Sequence, residues 1–268
     1  MVRSIARPAA LLAALFGPLL LGSALLGPAA GAAEGPPGPW QDWEAHNEIS
    51  NTASLQRGAS AFMNYCVACH SLKYKRYSRL GEDLDIPLEQ LEANIVLPGD
   101  KRSDYIKTSL AAEDGEAWFG KAPPDLSLIA RSKGPDYVYR FLKSYYLNPN
   151  PSSVTGVDNL QLSGTAMPHV LASLGGVPEA VFRNIERKGA GGEIVADREF
   201  VEFKPAIAGT LSAEQYDEFV LDIVNFLDYV GEPAQLVRKS LGVWVILFLM
   251  LFTGIAFLLK QEYWKDVK

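Results

Sequence analysis

Cysteine is scarce in this chain. Two of its 268 residues are cysteine, and both fall in Cys66-Val67-Ala68-Cys69-His70. No thiol is left over for a structural disulfide elsewhere or for a cysteine-rich metal cage. Histidine is nearly as rare. Besides His70 there are only His46 and His169, and a Cys/His zinc cage with about four ligands would need both. Positive charge is also in deficit. The formal charge is -6 and the pI about 5.2, which argues against a nucleic-acid partner. An acidic surface suits a basic protein partner instead. Finally, no charged residue lies between Leu241 and Leu259, so this run lacks the polar face of an ordinary core helix.

The motif that takes both cysteines has the C-x-x-C-H spacing of covalent c-type haem attachment. Each thiol can form a thioether to one haem vinyl group, and the following histidine can donate an imidazole nitrogen to the iron. A thioredoxin-like C-x-x-C is expected beside a βαβ pattern, and no strand-rich segment flanks this one. There is no second C-x-x-C-H, so one haem c is expected.

Both ends of the chain are apolar. Arg3 and Arg7, then Ala9 to Leu26, then Ala29, Ala30, Gly31, Ala32 and Ala33 give the charged, apolar and small-residue order of an export signal. Residues 1–33 are read as that signal, with cleavage after Ala32 or Ala33; an uncleaved anchor is the alternative. Gly35 to Pro39 (GPPGP) reads as an extended linker. Residues 241–259 span about 28 Å as a helix, close to the thickness of a bilayer's apolar layer. Arg238 and Lys239 precede them, Lys260, Lys265 and Lys268 follow, and Trp244, Tyr263 and Trp264 lie at interfacial positions. The layout implies a single-pass protein of a bacterial inner membrane. Residues 34–240 form the exported domain on the periplasmic side, and 260–268 form a cytoplasmic tail.

The exported part reads as mainly α, with long loops. Ser54 is expected to cap a helix running to Cys66, with Leu55, Ala59, Phe62 and Met63 on its apolar stripe. Asp85-Ile86-Pro87 is expected to open a helix that ends at Gly99, with Leu88, Leu91 and Ile95 inward. A further helix is expected over 136–146, with Tyr137, Val138, Phe141, Leu142 and Tyr145 facing inward. A long loop follows to Gly164. Residues 190–203 suggest a short hairpin. Leu211 to Val230 is the clearest helix, opened by a Ser212/Gln215 capping box and stopped at Gly231. Lys73 to Arg79 (KYKRYSR) reads as a solvated face or a contact for a subunit or lipid headgroup. Glu82, Asp83, Asp85, Glu89, Glu92, Glu113, Asp114 and Glu116 are candidates for steering a basic cytochrome c.

A low-spin carrier needs a ligand on the far face of the haem, and methionine raises the potential relative to histidine. Of four methionines, Met1 leaves with the signal, Met250 lies in the apolar run, and Met63 is tied to the attachment side. Met167 remains, and Pro168 biases it toward an extended conformation. His169 and His46 stay open as rival ligands.

Read in order, several segments resemble cytochrome c1, the haem subunit of the quinol–cytochrome c oxidoreductase (complex III). They are Ser54-Leu55-Gln56-Arg57-Gly58, Cys66 to Leu72, Ala122-Pro123-Pro124-Asp125-Leu126-Ser127, Asp136-Tyr137-Val138-Tyr139, Ala166-Met167-Pro168 and Tyr229-Val230-Gly231-Glu232-Pro233. The resemblance implies a cytochrome c-like haem domain with a C-terminal anchor. It implies Cys66 and Cys69 as thioether residues, His70 and Met167 as iron ligands, and Tyr137 near a propionate. Either Arg131 or Lys133 would meet a propionate too. Resemblance to c-type cytochromes further implies that a carbonyl of the Pro123-Pro124 pair accepts from the His70 ring. The function implied is relay of single electrons from a Rieske iron–sulfur protein to a cytochrome c, beside a cytochrome b subunit, with no catalytic acid, base or nucleophile. The rival readings are a tethered monohaem carrier outside that complex, a haem sensor or peroxidase with an open iron position, and a redox-active thiol protein.

Overall fold

The structure, a computed structural model, describes residues 35–150, 153, 155–188 and 194–266. The expected signal at 1–33 lies outside the described residues. In chain order the helices and strands are α1 (Thr52–Tyr65), β1 (Leu72–Arg76), α2 (Tyr77–Asp83), α3 (Leu88–Asn94), β2 (Tyr105–Ile106), α4 (Ala112–Phe119), α5 (Ile129–Lys133), α6 (Pro135–Lys143), β3 (Tyr145–Leu147), β4 (Val157–Asn159), α7 (Ala172–Gly175), β5 (Val177–Lys188), β6 (Ile194–Ile207), α8 (Ala213–Gly231) and α9 (Gln235–Tyr263). Helix dominates, as the sequence suggests. The strands form three antiparallel pairs, β1 with β2, β3 with β4 and β5 with β6.

The core is organised by the crossing of α1 and α8. Leu55, Ala59 and Phe62 of α1 are buried against Val220, Ile223, Phe226 and Leu227 of α8. The rings of Phe62 and Phe226 lie 5.8 Å apart. Gly58 makes the close approach possible, because a Cβ there would lie 2.0 Å from the Asp222 carbonyl oxygen. Polar groups seal the same crossing. Arg57 grips Asp222 with two bonds of 2.6 and 2.7 Å. The Ser54 hydroxyl donates to Asp222 at 2.6 Å and accepts from Asn225 at 2.7 Å.

Ser54 therefore does not cap α1. Asn51 does, accepting from the Ser54 N–H, and the Ser54 hydroxyl is buried against α8. The expected capping box of α8 is present: Ser212 accepts from Gln215 N–H while the Gln215 side chain accepts from Ser212 N–H. Helix α3 starts at Leu88 and stops at Asn94, short of Gly99. The amides of Ile95 and Val96 both turn back to the Leu91 carbonyl and close it there. Leu91 and Ile95 are buried, but Leu88 is exposed.

The run from Lys73 to Arg79 is not one solvated face. An irregularity in the β1–β2 pairing breaks strict alternation and leaves Leu72 and Lys75 both buried, and Tyr77 of α2 is fully buried. Lys75 donates to Asp83 at 2.8 Å, and Tyr229 donates to the same carboxylate at 2.7 Å. Arg79 pairs with its other oxygen at 2.8 Å. Asp83 is thus committed to an internal ion pair and drops out of the set of steering carboxylates.

Helix α6 ends at Lys143, and Tyr145 lies in β3. The expected loop over 146–164 contains β4, whose residues pair with β3 from Tyr145–Asn159 to Leu147–Val157. The hairpin is longer than expected: β5 and β6 pair from Val177–Ile207 to Lys188–Ile194, while 190–193 of the expected hairpin lie outside the described residues. The presumed linker is also held in place: Pro37 accepts from Phe200 N–H at 2.8 Å, and Pro36 accepts from the Trp40 indole at 2.7 Å. Beyond α8, α9 carries an apolar stretch from Leu241 to Tyr263, none of it buried, that is long enough to cross a membrane. An exposed face of that length is costly in water and favourable in lipid.

Candidate haem site

The C-x-x-C-H segment continues α1 as a tight turn. The N–H groups of Cys69 and His70 both bond to the Cys66 carbonyl, at 3.1 and 2.9 Å. That winding buries Val67 on the core side and brings Cys66, Cys69 and His70 to the wall of one cavity. The turn is fastened from outside. The Thr108 hydroxyl donates to the Ala68 carbonyl at 2.6 Å, and Ser71 accepts from Thr108 N–H at 2.9 Å.

His70 is nearly buried, and its Nδ1 lies 2.7 Å from the Pro124 carbonyl oxygen. A carbonyl only accepts, so this contact places the proton on Nδ1 and leaves the Nε2 lone pair free. Burial lowers the ring's pKa despite the Pro124 bond and the nearby Asp125, which also favours the neutral, ligating form. The Pro-Pro segment is pinned in turn. Asp125 accepts from Lys73 N–H at 2.9 Å and from Ser127 N–H at 3.0 Å, and Ser127 accepts from Tyr74 N–H at 3.2 Å. Gly115 of α4 lets that helix approach, since a Cβ there would lie 2.7 Å from Pro123 Cδ.

The cavity measures about 280 Å³, and its wall holds Cys66, Cys69, His70, Pro123, Pro124, Tyr137 and Met167 together. Apolar groups complete it, among them Tyr65, Phe119, Leu126, Ile129, Val138, Phe141, Leu142, Leu162, Ile223 and Leu227. Two thiols, one imidazole with a free nitrogen and one thioether in an apolar wall suit a covalently held haem. Burial pushes the Cys66 thiol up to about 12, opposite to the lowered pKa of a reactive redox thiol. Among the described residues no cluster of His, Cys, Asp and Glu is arranged to hold a metal ion.

Neither rival histidine lines this cavity. The His169 ring stacks on Tyr145 at 4.6 Å and donates through Nε2 to the Gly176 carbonyl at 3.1 Å. Its burial lowers its pKa to about 4. His46 is exposed beside Glu44. Met63 packs against the core outside the wall. Arg131 and Lys133 are also outside it. Arg131 is exposed and lies 3.8 Å from Glu232, and Lys133 stands 5.6 Å over the Tyr137 ring. Among the described residues the one lysine or arginine in the wall is Lys121. Sequence reasoning missed it, and its only signal was its place two residues before Pro123.

A cavity of this kind, in a chain that also carries a helix fit to span a bilayer, defines a membrane-anchored c-type cytochrome. The chain belongs to the cytochrome c1 family, matching the Cytochrome C1 family over residues 42–177 and 194–267. It is 44% identical to a cytochrome c1 of Allochromatium vinosum, over 83% of this chain and 88% of that one. It is 30% identical to a cytochrome c1 of Rhodospirillum rubrum, over 85% and 88%. A chain of Nitrosomonas europaea named as the gamma subunit of ammonia monooxygenase is 38% identical over 80% and 83%. The protein is thus a single-pass monohaem electron carrier with one covalent haem c, of a family whose members are electron-transfer subunits of an oxidoreductase complex. Membership sets it in the context of complex III with cytochrome b.

Proposed function

We propose that this chain relays single electrons from a Rieske iron–sulfur protein to a cytochrome c, as the haem subunit of a quinol–cytochrome c oxidoreductase. The observation that carries this reading is the placing of His70 and Met167 in one apolar wall with both cysteines. Bound haem c supplies a one-electron ferric/ferrous couple. The residues do the rest. Cys66 and Cys69 hold the group by thioethers, His70 offers Nε2, and Met167 offers its sulfur. The Pro124 carbonyl fixes the imidazole plane, and Tyr137 is a propionate contact. Arg131 or Lys133 would reach a propionate from outside the wall. The apolar wall excludes water and favours the less charged oxidation state. With His70 and Met167 both given to the iron, the haem would offer no position to a substrate, so the subunit alone would make and break no substrate bond.

In this reading residues 1–33 direct export and α9 stops transfer. The haem domain then faces the periplasm of a bacterial inner membrane, beside cytochrome b, and the tail stays in the cytoplasm. The acceptor side is α4 and its surroundings. Glu113, Asp114 and Glu116 are exposed there, Trp118 is 64% exposed, and Phe119 reaches the cavity wall. An acidic helix with an exposed indole beside the cavity suits a basic cytochrome c.

The test is purification of the full-length protein from its own membranes in mild detergent. Recovery with a dihaem cytochrome b and a Rieske protein, and quinol-driven reduction of its haem, is the expected result. Recovery alone or with an oxidase supports the alternative, a tethered monohaem carrier outside that complex.

A further inference from the structure

We propose that Tyr145 and Thr165 clamp the Met167 loop against the cavity and act as positioning residues for the distal methionine; this rests on the reading above, in which Met167 is the ligand. Two hydrogen bonds bracket Met167. Met167 N–H donates to Thr165 Oγ1 at 3.4 Å, and Tyr145 donates to the Met167 carbonyl at 3.2 Å. Both backbone polar groups of Met167 are thereby tied to side chains rather than to regular secondary structure. Tyr145 is 2% exposed and Thr165 9%, so water competes poorly for these bonds.

A second contact fixes the other side of the loop. Two residues past Met167, the His169 ring lies flat on Tyr145 with an interplanar angle of 8°, and its Nε2–H bonds to Gly176. Between them Pro168 has no N–H to offer and restricts the backbone of Met167. Tyr145 itself sits in β3, paired with Asn159, and packs edge-on against Phe141 at 5.5 Å. Phe141 lines the cavity and Tyr145 does not. Tyr145 thus acts from behind the wall, through Met167.

A thioether is a weak ligand, so the loop's open state governs access of competing ligands to the iron. Loss of one buried hydrogen bond should raise the open population roughly fivefold. The experiment is an imidazole titration of the ferric, haem-loaded, full-length protein in detergent, followed by the near-infrared charge-transfer band of methionine ligation. Tyr145→Phe and Thr165→Val should each bind imidazole about fivefold more tightly than wild type, and Thr165→Ser should restore wild-type affinity. Wild-type affinity in Tyr145→Phe overturns the clamp, as does a lowered Tm with unchanged imidazole affinity. Should Thr165→Val fail to accumulate, Tyr145→Phe alone decides. Absence of the band in the wild type overturns the methionine reading itself and the clamp with it.

Discussion

Gly58 and Asp222 approach so closely that a methyl group on the glycine would lie 2.0 Å from the Asp222 carbonyl oxygen and 2.7 Å from Phe226 Cβ. The obstacle on one side is helix backbone, which cannot rotate away. Gly58→Ala therefore forces α1 and α8 apart and should destabilise the domain by about 2–3 kcal/mol. Thermal melting of the haem-loaded protein in detergent checks this, and an unchanged Tm would contradict it.

Asp83 links β1, α2 and α8 through Lys75, Arg79 and Tyr229. Burial raises its pKa, but the bonds from Lys75 and Tyr229 and the charge of Arg79 outweigh that and leave it below the usual carboxylate value. A depressed carboxylate adds stability above its unfolded pKa of about 3.9, and this is lost as pH falls through the lower folded value. Asp83→Ala leaves Lys75 buried without its anion and should lose about 3–5 kcal/mol near neutral pH. Acid unfolding of that variant should also be flatter below about pH 4 than wild type.

The Pro124 carbonyl meets His70 because Asp125 ties the segment to Lys73 and Ser127. A firm Nδ1–H bond strengthens imidazole as a donor and favours the ferric state. Asp125→Ala should loosen it and raise the midpoint potential by about 20–40 mV, the one-electron equivalent of about 0.5–1 kcal/mol. Redox titration of the variant measures the shift, and a fall in potential would contradict the argument.

Helix α4 presents Glu113, Asp114 and Glu116 beside the exposed Trp118. Converting the three carboxylates to amides should slow reduction of a basic cytochrome c by roughly tenfold at low salt, with the gap closing as salt screens the charges. Stopped-flow rates across ionic strength check this. Trp118→Ala should weaken docking at all salt concentrations.

The residues that share one cavity wall were more legible in the sequence than the frame that gathers them. Cys66, Cys69 and His70 are legible because covalent attachment needs fixed spacing. Met167 is legible because so few methionines compete. The Leu241–Leu259 run is legible because a bilayer demands length without charge. Arg57 and Gly58 were visible only as part of a resemblance and Ser54 was misassigned as a cap, since their partners Asp222 and Asn225 lie far along the chain. Lys75 and Asp83 looked like surface charges for the same reason: nothing local marks a lysine whose anion arrives on another element. Strand β4 hid inside a polar stretch because its pairing with β3 is tertiary. Tyr145 read as helical until β3 took it, and only there does it meet Met167.

The proposed ligation by His70 and Met167 is tested most directly by redox potentiometry with near-infrared absorbance on the purified wild-type protein and Met167→Leu. The expected result is a positive midpoint potential with a methionine charge-transfer band, both lost in Met167→Leu while the covalent haem content stays intact. A strongly negative midpoint without the band in the wild type, unchanged by the substitution, would contradict it.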